Sequence, residues 1–276
     1  MNAAAERLRS AGSSSARLDA ELLVAHVTRW SRAEVLAHPD RAVDSRSAGR
    51  FQELVARRVA SEPIAYLLGE REFYGRVFRV DRRALIPRPE TELLVELGLS
   101  AVARWRAAGI SPRVFDIGTG AGAIAVSLAA EANVSVVATD MSFGALTLAR
   151  ENAFLHGVGR RVSLVQADLL APVPGPLHVV LANLPYVPLS RPLPRDVKDY
   201  EPGMALFGGQ RGPELIERLL AQAAPLLAPR AELAMELDEE QQAAPVASLA
   251  RDLYPAADVS ICQDAGGYDR VVRVAT

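Results

Sequence analysis

The stretch Phe115–Glu131, FDIGTGAGAIAVSLAAE, decides the fold. With Arg113 and Val114 before it, it opens as a short apolar strand interrupted only by Asp116. Gly118, Gly120 and Gly122 follow at alternate positions, and the rest is small or apolar and suits a buried helix. In a strand–turn–helix unit the glycines let a ligand approach the backbone, and the unpaired N–H groups of the helix start suit a polar or anionic group. The C-terminal edge of an open α/β sheet is where such ligands bind.

The strand–helix rhythm continues downstream. RVFDI (113–117), VSVVAT (134–139), RVSLVQ (161–166), LHVVLAN (177–183) and AELAMEL (231–237) read as five short buried strands separated by helical stretches, the pattern of a parallel doubly wound sheet. ADVSICQ (257–263) and DRVVRVA (269–275) are joined only by DAGGY, too short for a parallel crossover, so the last strand is expected to run antiparallel. The expected fold class is α/β, with a mostly parallel seven-stranded sheet.

Upstream, the period is helical. Leu18, Leu22, Leu23, Val27 and Trp30 are expected on one face of a helix, Ser31 and Glu34 to form a capping box, and Phe51, Leu54, Val55 and Val59 to line a further helix. Ser13–Ser15 reads as a solvated run. REFYGRVFRV then alternates, with Phe73, Phe78 and Val80 inward around a turn at Gly75–Arg76. In LIPRPETE (85–92), Pro87 and Pro89 force an extended entry into a helix carrying Leu93, Leu94, Leu97 and Val102. The expected organisation is a helical domain over 1–72, a hairpin linker over 73–88 and an α/β domain over 89–276.

Composition narrows the classes. The 276 residues are 50% hydrophobic and 23% charged, enough for a sizeable core, and the formal net charge of −2 supplies no overall basic field toward nucleic acid or membrane. The single cysteine, Cys262, excludes an internal disulfide framework, and His26, His38, His156 and His178 form no metal-ligand spacing, so no metal is expected. The start lacks a signal-peptide core and no run approaches a membrane span, which predicts a cytoplasmic protein.

The glycine loop has two readings. Gly118-x-Gly120-x-x-Ala123, with Asp140 after the next strand to bind ribose hydroxyls, satisfies a dinucleotide pattern. Gly118-x-Gly120-x-Gly122 after Asp116 equally fits S-adenosylmethionine. The antiparallel last strand and the ANLPY (182–186) after the fourth strand favour the latter, and no proton-transfer residue for nicotinamide chemistry stands out. Asp168 could accept from an adenine amine and Leu169 cover its ring, although a turn cap also explains Asp168. The cofactor set is therefore Asp116, Gly118, Thr119, Gly120, Ala121, Gly122, Asp140, Asp168, Leu169 and Asn183.

These motifs, with EPIAYLLGEREFYGRVFRV (62–80), LIPRPETE, DIGTGAGAIA (116–125), NLPY (183–186) and YEPGMALFGG (200–209), resemble the bacterial protein-(glutamine-N5) methyltransferases that modify peptide chain release factors. The resemblance covers nearly the whole chain. It implies an S-adenosylmethionine-dependent methyltransferase fold with a helical substrate-docking domain, and release factors as protein substrate without direct nucleic-acid binding. In that family the acceptor is the Gln of a Gly-Gly-Gln tripeptide, held by an Asn-Pro-Pro-Tyr motif, and the resemblance implies the same here. This chain has Leu184 at the first Pro. Asn-Leu-Pro-Tyr also occurs in adenine-N6 methyltransferases, which leaves a nucleic-acid substrate as an alternative; a non-catalytic cofactor-binding translation partner is a third.

Chemically, Asn183 Oδ1 and the Leu184 carbonyl could accept the two N–H groups of a planar amide as positive charge grows on its nitrogen. Pro185 restricts Leu184, and Tyr186 could pack on the amide plane. Arg88, Glu90 and Glu92 are expected either to organise the entrance or to form an ion-paired helix start. The chain's own Gly208-Gly209-Gln210 matches the modified tripeptide; a flexible Gly-Gly turn before the helix near Pro213 is the reading adopted for it.

Overall fold

The structure, a computed structural model, describes residues 1–171, 173–237 and 242–276. It divides into two compact units, Met1–Glu70 with Leu193–Tyr200, and Arg71–Pro192 with Glu201–Thr276. Among the described residues no helix is long and apolar enough to cross a membrane.

The first unit contains α1 (Asn2–Ser10), α2 (Ala16–Thr28), α3 (Arg32–Ala37), α4 (Ser45–Val59) and α5 (Ile64–Leu68). Leu8, Leu23, Leu54 and Val55 are fully buried at its centre. The α2 stripe differs from the expected one. Leu18 is 40% exposed, and the inward face is Ala16, Ala20, Leu23 and Val27. The cause is polar: Asp19 takes an inward position, where Arg58 Nε donates to it at 2.8 Å and the hydroxyls of Ser13 and Ser15 donate at 2.9 and 2.8 Å. The serine run thus anchors the start of α2 rather than merely being solvated. Trp30 lies past the end of α2, its ring covered by the Arg41 guanidinium at 4.0 Å. The capping box forms: Glu34 N donates to Ser31 Oγ and Ser31 N to Glu34 Oε2. The segment 193–200 joins this unit through a single helical turn, Arg195–Lys198, and through Tyr200 Oη, which donates to Ala60 O at 2.9 Å.

A two-stranded hairpin, β1 (Glu70–Phe73) and β2 (Arg76–Arg79), follows. Its turn is centred on Tyr74–Gly75, one residue earlier than expected, both at positive φ, as a two-residue hairpin requires. Phe73, Phe78 and Val80 are buried as expected.

The second unit is then built from α6 (Glu92–Ala107), β3 (Val114–Ile117), α7 (Ala123–Glu131), β4 (Val136–Asp140), α8 (Phe143–Leu155), β5 (Val162–Gln166), β6 (Leu177–Ala182), the two-residue β7 (Val187–Pro188), β8 (Phe207–Gly209), α9 (Glu214–Ala223), β9 (Leu227–Glu236), α10 (Ala243–Leu253), β10 (Asp258–Gln263) and β11 (Asp269–Ala275). The seven-stranded sheet has the order β10-β11-β9-β6-β3-β4-β5. The first five strands of the reading are parallel, and β11 inserts antiparallel between β9 and β10. β9 begins four residues before the expected start, at Leu227.

β3 and β6 are buried along nearly their whole length, because helices cover both faces. One face packs Leu94, Val102, Leu128 and Leu181, the other Phe115, Val180, Leu219 and Val272. This two-sided core fixes the C-terminal ends of β3, β4 and β6 side by side, which brings Gly118, Asp140 and Asn183 to one edge.

Candidate active site

At that edge lies a cavity of about 400 Å³. Its wall contains Gly118, Thr119, Gly120, Ala121, Asp140, Asp168, Leu169, Asn183, Leu184 and Pro185, so most of the expected site residues meet there. Asp116, Gly122 and Tyr186 do not line it.

The glycine loop is pinned from behind. Gly118 N and Thr119 N both donate to Thr139 O at 2.9 Å, and Gly118, Gly120 and Gly122 have φ of 74°, 55° and 83°. Asp116 is fully buried under the loop, where its Oδ2 accepts from Thr119 Oγ1 at 2.6 Å and from Ala125 N at 3.1 Å. Asp116 therefore ties the loop to the first turn of α7 instead of facing the cavity. Burial raises its pKa to about 7, against those two hydrogen bonds, with Asp140 nearby adding to the rise.

Asp140 closes the loop from the side: Gly120 N donates to its Oδ2 at 2.9 Å and Ser142 N to its Oδ1 at 2.8 Å. Each carboxylate oxygen keeps a further lone pair, so the group can still accept from a ribose diol. Burial raises its pKa as well. Asp168 Oδ2 accepts from Arg218 Nη2 at 2.7 Å, whereas its buried Oδ1 has no partner among the described residues. Leu169 is held in a left-handed conformation, φ 56°, with its carbonyl accepting from Thr139 Oγ1 at 3.1 Å.

Asn183 lines the cavity; its Nδ2 donates to Thr91 Oγ1 at 2.8 Å, and its Oδ1 has no hydrogen-bond partner among the described residues. Leu184 is buried, its Cδ2 lying 2.8 Å from where a Cβ on Gly118 would stand. Tyr186 turns away from the cavity. Its hydroxyl donates to Glu236 Oε1 at 3.5 Å, its carbonyl accepts from Gln242 Nε2 at 2.8 Å, and burial raises the phenol's pKa. The expected packing of this ring on a substrate amide is not what its position provides; it braces the turn from behind.

The Gly208–Gly209 pair is part of β8, beside β7, rather than a flexible turn. A Cβ on Gly208 would stand 2.2 Å from Pro185 O, so this glycine permits the close approach that backs the ANLPY turn.

The residues of LIPRPETE divide. Arg88 lines the cavity, and its Nη2 donates to Glu201 Oε1 at 2.5 Å; Ile86 N donates to Glu201 Oε2 at 3.1 Å. Glu92 instead accepts from Tyr74 N at 2.8 Å and fixes the hairpin turn, and Glu90 is exposed. Three polar residues that bond to the expected site residues were not singled out from the sequence: Thr91, which accepts from Asn183, Glu201, which accepts from Arg88, and Glu236, which accepts from Tyr186. Glu236 is buried at the end of β9, with its pKa raised by burial to about 7. A charged residue directly after the buried run 233–235, at the C-terminal end of β9, is the signal available for it.

The wall fits S-adenosylmethionine. It offers the backbone of the glycine loop, open at Gly120 where a Cβ would reach only Ala84 at 3.9 Å, a carboxylate at the end of β4, an unpartnered buried oxygen on Asp168 for an adenine amine, and the apolar Leu169 and Ile124. Fold and site together define an S-adenosylmethionine-dependent methyltransferase of the Rossmann-like class.

Known proteins narrow this class. Residues 1–69 match the PrmC N-terminal domain model and residues 94–190 the methyltransferase small domain model. The release factor glutamine methyltransferase of Nitratidesulfovibrio vulgaris is 39% identical over 275 residues, covering 98% of this chain and 91% of the relative. That of Moorella thermoacetica is 40% identical over 271 residues, covering 97% and 94%. Among solved structures, the N-terminal domain of human METTL16 in complex with SAH aligns with a TM-score of 0.54 at 15% identity, over 81% of this chain and 83% of that one. The Thermus thermophilus 16S rRNA N2 G1207 methyltransferase, in complex with AdoMet and guanosine, aligns at 0.51 and 14% identity, over 75% and 49%. Those two share the fold. The chain belongs to the release factor glutamine methyltransferase family.

Proposed function

We propose that this protein methylates the side-chain amide nitrogen of the glutamine in the Gly-Gly-Gln tripeptide of peptide chain release factors, acting in the cytoplasm where those factors work. The observation that carries the reading is the Asn183 amide: with Nδ2 given to Thr91, Oδ1 is left as an acceptor on a residue that lines the cavity next to Leu184.

S-adenosylmethionine supplies an electrophilic methyl group on a cationic sulfur. The residues of the chain do the rest. An amide nitrogen is a poor nucleophile because its lone pair is delocalised into the carbonyl. Asn183 Oδ1 and Leu184 O accept its two N–H groups, fix the plane of the NH2 and turn the lone pair toward the methyl carbon. As the N–C bond forms, those N–H groups become more acidic, so both hydrogen bonds strengthen in the transition state and lower the barrier. No charged base is needed at attack, and the surplus proton leaves to water afterwards. Alignment at about 3 to 3.5 Å supplies much of the remaining acceleration. Asp140, Asp168 and Leu169 would hold the ribose and adenine, and the Gly118–Gly122 loop the amino-acid end.

The helical unit, Met1–Glu70 with Leu193–Tyr200, is proposed to dock the release factor, separating recognition from chemistry. Radiolabelled S-adenosylmethionine, incubated with purified release factor, with a factor whose tripeptide glutamine is replaced by alanine, and with RNA, tests the reading. Label on the first substrate alone is expected. Label on RNA instead would install the adenine-N6 alternative.

A further inference from the structure

The clamp just described uses Thr91 only as the partner of Asn183 Nδ2 and leaves Glu236 without a role. Thr91 is buried, lines the cavity and accepts from Asn183 Nδ2 at 2.8 Å. Its hydroxyl has one proton, and because the oxygen already accepts from Asn183, that proton must point elsewhere. Thr91 neighbours the Glu236 carboxyl and acts to lower its pKa, and Glu236 Oε2 is buried without a hydrogen-bond partner among the described residues. The other carboxyl oxygen accepts from Tyr186 Oη at 3.5 Å. Arg270 on β11 and Glu90 before α6 are the charged groups that also act on it.

We propose that Thr91, directed by Glu236, is the positioning residue that fixes which face of the Asn183 amide meets the substrate. In its ionised form the Glu236 carboxyl can only accept, so it draws the Thr91 proton toward β9. The Thr91 oxygen is then left as an acceptor, only the NH2 end of Asn183 can face it, and Oδ1 is turned to the cavity. Without this direction the asparagine can invert, presenting a donor to a substrate NH2 and repelling it. The inference rests on the glutamine reading above, since it concerns the acceptor that reading uses.

Four variants test it with release factor as substrate: Thr91→Val, Thr91→Ser, Glu236→Leu and Glu236→Gln. Wild-type turnover in the same assay checks the underlying reading separately. Thr91→Val keeps shape and removes the hydroxyl; kcat is expected to fall roughly 10- to 100-fold, with cofactor Kd and Tm close to wild type. Thr91→Ser restores the hydroxyl and should return kcat to within about threefold. Glu236→Leu should resemble Thr91→Val, and Glu236→Gln, which keeps an acceptor, should retain most activity. Combined with Asn183→Ala, Thr91→Val should cost almost nothing more, because the group it orients is gone. Full activity in Thr91→Val, failure of serine to rescue, or losses that simply add in the double variant would overturn the proposal. Should Glu236→Leu fail to fold, the threonine pair and the double variant still decide it.

Discussion

Leu184 Cδ2 occupies the space that a side chain on Gly118 would need: a Cβ there would lie 2.8 Å from it. The residue standing at the first proline of the resembling motif thus packs on the glycine loop, linking the turn after β6, proposed as the substrate clamp, to the turn after β3. Gly118 also has φ of 74°, a region that costs an L-residue about 1–2 kcal/mol. Gly118→Ala is therefore expected to weaken S-adenosylhomocysteine binding by at least about tenfold in calorimetric titration. Adding Leu184→Ala should recover only part of the loss, since it relieves the contact but not the backbone cost. Unchanged affinity in the single variant would mean that the loop does not contact the ligand.

Leu184→Pro should preserve glutamine methylation, because proline keeps the carbonyl and disfavours helical backbone at Asn183. The smaller ring covers Gly118 less fully, so a modest rise in cofactor Kd should accompany it. Loss of turnover with intact cofactor affinity would show that the Leu184 N–H, which proline lacks, is needed.

Asn183→Ala separates chemistry from binding. It removes an acceptor whose value grows as charge develops on the substrate nitrogen, so kcat should fall roughly 10²- to 10³-fold while cofactor affinity changes little. Single-turnover kinetics with release factor reads this directly. A fully active variant would sink the clamp mechanism.

Asp140→Ala should weaken the cofactor by about 1–3 kcal/mol. Two causes act together: a ribose acceptor is lost, and the N–H groups of Gly120 and Ser142 lose the carboxylate that holds them. Asp140→Asn, which can keep one of those bonds, is expected to lie between. Equal affinity for all three proteins would place the ribose elsewhere.

Stability should fall as pH rises from about 4 to about 7. Asp116 and Glu236 ordinarily titrate at 3.8 and 4.5, but burial raises both to about 7 in the folded chain. Within that window the folded state holds protons that the unfolded state has released, so the stabilisation, complete below the ordinary values, disappears as pH passes the folded ones. The salt-bridged and capping carboxyls with lowered values, such as Asp81 and Glu151, act below this window. Tm followed between pH 5 and 8 should decline, and Asp116→Asn, which keeps an oxygen acceptor for Thr119 and Ala125, should flatten the decline. A Tm that climbs toward pH 8 would contradict the burial argument.

Local pattern carried much of this protein. A strand followed by spaced glycines, an acid after the next strand, and an amide followed by proline after the fourth are all encoded within a few residues, and each element's periodicity reports which of its faces is buried. The short DAGGY link alone dictated an antiparallel end to the sheet. What the sequence could not encode locally is which polar groups meet across separate crossovers. Thr91 and Asn183 are 92 positions apart and become partners only because β6 ends beside the start of α6. Glu201 reaches back 113 residues to Arg88. Asp116 and Tyr186 were read as ligand-facing from their motifs, but strand and turn direction place them behind the wall, where their hydrogen bonds hold the loop and the clamp. The inward stripe of α2 shifted for the same reason: burial of Asp19 is favourable only where Arg58, on another helix, can pair with it, and no periodicity within α2 reports that partner.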